Sequence, residues 1–303
     1  MGDVFYWTLN MSILGSVAGI VVLLLRRIKV LPRVGVYLMW VLPLIRFWAP
    51  IGIANKYSLL SLISQYTTKT VVVWEQAPEY TMTNSIQAAT EYFPIEYKTD
   101  LLKDIFNLSG IIWAIIAAAA ILCSILLYIF TKSALKDAKH IKENIYRSGN
   151  VLSPAIYGIY KPKIILPMGI SDADLEFILM HEQIHIRRRD NLWRVIAVIT
   201  VCVHWFNPLV WVFLKCFFAD MELACDAGVL KNLDESKHKG YASALLSFSA
   251  GKSYYASAFG GAKTRPRIEN ILSYKKLTLA SLLCFAALFV IIAVTIITNA
   301  VGG

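Results

Sequence analysis

Three apolar runs constrain this chain more than anything else in it. They lie at about Val4–Leu25, Leu108–Phe130 and Leu277–Thr298, and each is long enough to cross about 30 Å of hydrocarbon. A backbone in hydrocarbon finds no water to bond, so such runs must be helices. The rest of the composition agrees: 57% of the 303 residues are hydrophobic, 17% are charged, and the mean hydropathy is +0.57. An ordinary soluble domain is excluded. A fourth run, about Val34–Ile53, carries Pro43, Arg46 and Pro50. It reads as a kinked span whose arginine faces protein or snorkels, with an interfacial segment as the competing reading. The first run has no basic n-region and no small-residue cleavage site, and Arg26-Arg27 follow it, so it reads as an uncleaved anchor.

Basic residues set the expected orientation. Arg26, Arg27, Lys29 and Arg33 fill the loop after the first run, Lys132, Lys136, Lys139, Lys142 and Arg147 follow the third, and Lys263, Arg265, Arg267, Lys275 and Lys276 precede the last. Residues 54–107 lean acidic instead, through Glu75, Glu79, Glu91, Glu96, Asp100 and Asp104. The chain therefore divides into a membrane region over residues 1–131, with spans at about 4–25, 34–53 and 108–130 and an extracellular loop at 54–107. A cytoplasmic domain at 132–276 follows, then a final span and short extracellular tail at 277–303. The net charge of +10 reflects this bias, and no aromatic-interleaved basic patch marks a nucleic-acid surface.

The chemistry lies in the cytoplasmic part. In His181-Glu182-Gln183-Ile184-His185, the two histidines sit four apart, on one face of a helix, where they can share one Zn²⁺. Glu182 is placed to take a proton from a water at that metal. Downstream, Glu222-Leu223-Ala224-Cys225-Asp226 falls on a second expected helix. Glu222 would complete a His₂Glu set and leave a fourth position open. Asp226, one turn on, would hydrogen-bond a ligand histidine and fix its tautomer.

The two halves of this site impose a topology. Leu192–Phe218 is apolar enough to be taken for another span, yet a simple crossing would put His181 and His185 on the opposite side from Glu222. If the metal site is real, the stretch must enter and return or lie buried in the protein, and Asn207-Pro208 near its middle supplies the turn. A membrane-dipping helical hairpin over 192–218 is expected, with a true span and no zinc site as the alternative. His204, just before the turn, is a weak candidate for stabilising an oxyanion and reads more simply as a packed residue. Upstream, Ile164, Ile165 and Leu166 between Pro162 and Pro167 read as a short strand that proline confines to a sheet edge, where an extended peptide substrate could pair. A purely structural strand is the alternative. Ser171-Asp172-Ala173-Asp174 reads as the N-cap and acidic first turn of the histidine helix.

In order, the chain shows three spans, a basic linker, the strand with Gly158, Pro162, Ile164, Leu166 and Pro167, and the HExxH helix. Trp205-Phe206-Asn207-Pro208 and then Glu222, Cys225 and Asp226 follow. This order resembles the integral-membrane zinc metallopeptidases of the BlaR/MecR type, signal transducers that answer β-lactams, and the likeness runs from about residue 5 to 298. The resemblance implies a gluzincin-like α+β fold, zinc held by His181, His185 and Glu222, and Glu182 as general base. It also implies self-cleavage in a loop at about Lys252–Gly261 and cleavage of a cytoplasmic regulator such as a winged-helix repressor. The lipid bilayer and a second copy in a homodimer complete the expected partners, with no direct nucleic acid. The chain read here ends at Gly303, without the penicillin-binding domain that the family's antibiotic sensors carry after the last span. Ser133-Ala-Leu-Lys136 and Ser273-Tyr-Lys-Lys276 lack the companion motifs of a β-lactam-acylating serine, so direct acylation is not expected. Competing readings are a housekeeping membrane zinc protease of the CAAX-processing or HtpX kind, and a non-proteolytic receptor with a vestigial site. The five cysteines lie outside the 54–107 loop, so no structural disulfide is expected, and Cys225 reads as a small buried hydrophobe.

Overall fold

A computed structural model describes residues 1–28, 30–49, 55, 57–58, 100–133, 135–249, 264–276 and 278–298. The chain is mainly helical with one small sheet. Among the described residues, three helices are long and apolar enough to cross a membrane: α1 (Gly2–Leu25), residues 104–133 within α4 (Asp100–Ser133), and α10 (Leu279–Ile297). They match the three long apolar runs. The residues expected to form the outer loop and the self-cleaved loop fall almost entirely outside the described residues.

The fourth run is two short helices, α2 (Arg33–Met39) and α3 (Val41–Trp48), neither of span length by itself. Pro43 explains the break. It cannot donate to the carbonyl of Met39, and its ring would collide with that carbonyl, so the first helix ends there. Arg46 faces protein: its Nε donates to the Ile296 carbonyl and its Nη2 to the Thr298 carbonyl, both at 2.7 Å. It thereby satisfies carbonyls at the end of α10 that have no partner within their own helix.

The stretch from 192 to 218 folds back on itself. Helix α6 (Asp190–Val203) runs to a turn at 204–207, and α7 (Pro208–Asn232) returns. Asn207 caps α7, its Oδ1 accepting from Leu209 N at 2.9 Å, and Pro208 takes the first helical position, where no donor is needed. The other end of the same amide donates to Ser12 Oγ at 2.8 Å and Ser16 Oγ at 2.7 Å, halfway along α1. From that point α7 follows α1 in the same direction. Phe213 packs so closely on Gly19 that a Cβ there would stand 2.3 Å from its ring. At the end of α1 the Arg26 guanidinium binds both oxygens of Asp220 at 2.9 Å. Trp40 Nε1 adds a third donor to that carboxylate at 2.8 Å. Val22, Trp40, Phe47, Phe213 and Phe217 form the core between these helices.

Four strands follow α4: β1 (Lys139–Lys142), β2 (Ile145–Ser148), β3 (Ala155–Tyr157) and β4 (Lys163–Pro167). Their order is β1-β2-β4-β3, with β2 and β4 parallel and the other pairs antiparallel. This corrects the expected edge strand. Ile164, Ile165 and Leu166 lie on an interior strand bonded on both sides, and all three are buried. Pro162 and Pro167 fall before the strand and at its last residue, so neither removes a donor from its middle. Three consecutive apolar residues are in fact the signature of a strand covered on both faces. The edges are β1 and β3, and Asn191 Nδ2 donates to the Ile156 and Gly158 carbonyls beside β3, at 3.3 and 3.0 Å.

Helix α5 (Asp172–Arg188) begins at Ser171, whose hydroxyl accepts from Asp174 N at 3.2 Å. Its inner face packs Ile178 onto Ile164 and Leu166 of β4. Helices α8 (His238–Ser249) and α9 (Thr264–Leu272) close the other side, where Tyr241 and Ile271 join Ile184, Val229 and Leu230 in a second core.

Candidate metal centre

Helix α5 presents His181, Glu182 and His185, and α7 crosses it to bring up Glu222, Cys225 and Asp226. The Nε2 atoms of His181 and His185 lie 3.2 Å apart. Glu222 Oε2 is 3.4 Å from the first and Oε1 is 3.6 Å from the second. Sequence reasoning expected these three ligands, and the fold brings them to one point.

Hydrogen bonds on the far side of each ring determine what those nitrogens offer. His185 Nδ1 lies 2.6 Å from Asp190 Oδ2, and an acceptor there makes Nδ1 the protonated nitrogen. His181 Nδ1 lies 2.9 Å from the Tyr241 hydroxyl, which gives its own proton to Asp226 Oδ1 at 2.6 Å. Asp226 itself stands 3.4 Å from His181 Nδ1, so most of the expected contact runs through Tyr241. Both Nε2 atoms are thus left with lone pairs aimed at one another and at a carboxylate. A cation reconciles three such donors, and the set of two imidazoles and one carboxylate fits zinc with a position to spare. The Cys225 thiol is also near: a ligating atom from each of His181, His185 and Cys225 lies within 4.8 Å of the others, while Sγ donates to the His181 carbonyl at 3.3 Å.

The electrostatics favour a cation. Burial works against ionising Glu222, but the charges of His185 and Arg267 outweigh it and hold the carboxyl well below its usual range. Asp226 is likewise lowered against its burial, by Arg267 above all, and Asp190 by His185 and Arg188. Burial also disfavours charged imidazoles. Even so, Cys225 and the Asp226 bond at His181, and Cys225, Glu222 and the Asp190 bond at His185, raise the proton affinity of both. Glu182 is 8% exposed, and among the described residues none hydrogen-bonds to or ion-pairs with its carboxylate.

Several contributors were not assigned from sequence. Asp190 follows His185 by five residues, across Arg189 in the left-handed conformation (φ 56°), which turns α6 back onto α5. The signal is weak, since an acid at the start of a helix is ordinary capping chemistry. Arg194 lies one turn further along α6, Tyr241 and Arg267 come from α8 and α9, and no spacing rule reaches them. Arg194 Nη2 donates to Glu222 Oε1 at 2.9 Å. Four residues considered from sequence have no part here. Ile164, Ile165 and Leu166 serve the sheet core, and His204 sits at the far end of α6, about 20 Å along its axis, with Nε2 3.1 Å from the Phe47 carbonyl.

Three helices of span length and, on other helices, a buried His181-His185-Cys225 cluster with Glu222 beside it define a membrane protein with a candidate metal site. The chain belongs to the BlaR1 peptidase M56 family, which it matches over residues 6–271. Among curated proteins it is similar to Regulatory protein BlaR1 of Bacillus licheniformis, 37% identical over 135 residues, covering 44% of this chain and 22% of that protein. It is 31% identical to the methicillin resistance mecR1 protein of Staphylococcus aureus over 121 residues, 39% of this chain and 20% of that one. Regulatory protein BlaR1 of Staphylococcus aureus aligns more widely, at 24% identity over 210 residues, 58% of this chain and 36% of the relative. The chain thus spans well under half the length of these relatives.

Proposed function

We propose that this chain is a membrane-embedded zinc metalloendopeptidase working at the cytoplasmic face of the membrane. The observation that carries the reading is the convergence of two imidazoles and Glu222 beside a carboxylate, Glu182, that has no partner among the described residues. Zinc held by His181, His185 and Glu222 would polarise the scissile carbonyl and acidify a water. Glu182 then takes the proton of the attacking water and returns it to the leaving amine. Asp190 and the Tyr241–Asp226 pair keep both rings in the tautomer that presents Nε2.

Topology supports the location. The turn of the α6–α7 hairpin bonds the middle of α1, and Asp220, two residues before Glu222, bonds Arg26 at its end. A hairpin entering from the Arg26 side and returning at half depth puts both halves of the site on that side. The basic loops make that side cytoplasmic. On this reading α1, the kinked α2–α3 pair, α4 and α10 are the four spans. Residues 132–276 are then the gluzincin-like protease domain, and 192–218 dips into the lipid. Its substrates are a cytoplasmic regulator and its own chain within 252–261, under control of a signal from outside. The relatives' names, a regulatory and a methicillin resistance protein, support a signalling role over a housekeeping one.

The test is zinc content and self-cleavage of the full chain beside Glu182→Gln. Near one zinc per chain in both, with fragments from the unmutated protein alone, is the expected result. Cleavage that persists in Glu182→Gln removes Glu182 from the base role, and absence of zinc in both sinks the enzyme reading.

A further inference from the structure

Helix α9 reaches the metal centre from a side that neither ligand helix covers. Its Arg267 donates through Nε to Asp226 Oδ2 at 2.8 Å and through Nη2 to Oδ1 at 2.7 Å. The same guanidinium comes within 3.3 Å of Glu222 Oε2 and 3.4 Å of His181 Nε2. Its side chain is 14% exposed, whereas Arg265, two residues earlier on the same helix, is 90% exposed and pairs with Glu269. The helix carrying Arg267 is itself anchored. Ile271 is buried among the site's supporting residues, and Asn270 Oδ1 accepts from Arg33 Nε at 3.1 Å.

We propose that Arg267 is the positioning residue that closes the metal centre, so that α9, which leads into the final membrane helix, is part of what holds the ion. This rests on the reading of the cluster as a zinc site. The fork of the guanidinium matches both oxygens of Asp226. Asp226 in turn accepts from Tyr241, Tyr241 accepts from His181, and the ring is thereby kept with its proton on Nδ1 and its lone pair on Nε2. Arg267 also faces Arg194 across Glu222, so the ligand carboxylate is held from two sides. A positive group beside a divalent ion weakens binding by repulsion. Here the two short bonds to Asp226 offset that charge, and the positioning effect prevails.

The experiment is zinc affinity of the detergent-solubilised full chain, measured by competition with a chromophoric chelator. Arg267→Ala should bind zinc about 10- to 100-fold more weakly, the usual cost of losing a partner behind a metal ligand. Arg267→Lys should recover part of that loss, because it keeps the charge and offers a point donor in place of a fork. Arg265→Ala, with the same charge change on the same helix, should match the unmutated protein. Unchanged or tighter binding in Arg267→Ala overturns the proposal while leaving the metal centre intact. Should Arg267→Ala not fold, Arg267→Lys decides, and full affinity there overturns it equally. An unmutated chain that takes up no zinc sinks the metal-site reading itself, and this inference with it.

Discussion

Asp190 Oδ2 lies 2.6 Å from His185 Nδ1, although the two residues belong to different helices. The left-handed Arg189 between them reverses the chain, so the helix that enters the hairpin begins on the ring it orients. The same carboxylate accepts from Arg188 Nε at 3.2 Å and from the Tyr37 hydroxyl at 2.9 Å. The metal centre and the membrane bundle therefore share a buried carboxylate.

Replacing Asp190 with Ala removes the acceptor that holds His185 with its lone pair on Nε2. Zinc affinity should fall about 10- to 100-fold. Chelator competition measures it, and an affinity equal to the unmutated protein's would dismiss the orienting role.

Glu222 is the proposed third donor, and Arg194 and Arg267 flank it. With Ala at this position the two guanidinium groups lose their carboxylate and stand beside the histidine pair. Zinc stoichiometry should drop to a small fraction at concentrations that saturate the unmutated chain, as read by metal analysis after gel filtration. Retained stoichiometry would transfer the third-ligand role to another group, such as Cys225, whose ligating atom lies within 4.8 Å of those of both histidines.

The hairpin turn is tested at Asn207. Its amide caps α7 and donates to Ser12 and Ser16, so Asn207→Ala removes the cap and leaves buried serines without a donor. A loss of about 1–2 kcal/mol in stability is expected, seen as a lower thermal midpoint in detergent. Ser12→Ala with Ser16→Ala should reproduce the part due to α1 and spare the cap.

Close packing of α7 on α1 is tested at Gly19. A methyl group there meets the Phe213 ring, so Gly19→Ala should cost about 1–3 kcal/mol. Adding Phe213→Leu should return part of that loss, because the obstacle is the ring. Strictly additive losses in the double variant would separate the two helices.

Arg26 and Asp220 form a bidentate pair in which the carboxylate is 3% exposed. Arg26→Ala leaves that charge buried with Trp40 as its remaining donor among the described residues, and about 3–5 kcal/mol of stability should be lost. Arg26→Ala with Asp220→Asn should recover much of it. Thermal melts of the three proteins decide the matter.

The three long apolar helices, the His181–His185 helix with its Ser171 cap and the chain reversal at Asn207-Pro208 were legible in the sequence. Each is a local property: apolar length, a four-residue repeat, a proline where no donor is needed. The position of Ile164–Leu166 in the sheet was not, because strand order depends on which partners arrive on either side. The flanking prolines suggested an edge, while the unbroken apolar triplet was the better guide. The kinked run was visible as Pro43, but whether Arg46 met protein or lipid depended on where α10 ended.

By itself the sequence determined the candidate donors His181, His185 and Glu222, since ligand chemistry and helical spacing are written in residue types. Only the tertiary structure decided what surrounds them. Asp190 and Arg194 on α6, Tyr241 on α8 and Arg267 on α9 come from three helices and meet because apolar packing brings those helices together. Burial then gives each of their hydrogen bonds its weight, since a polar group without water must find its partner in the protein.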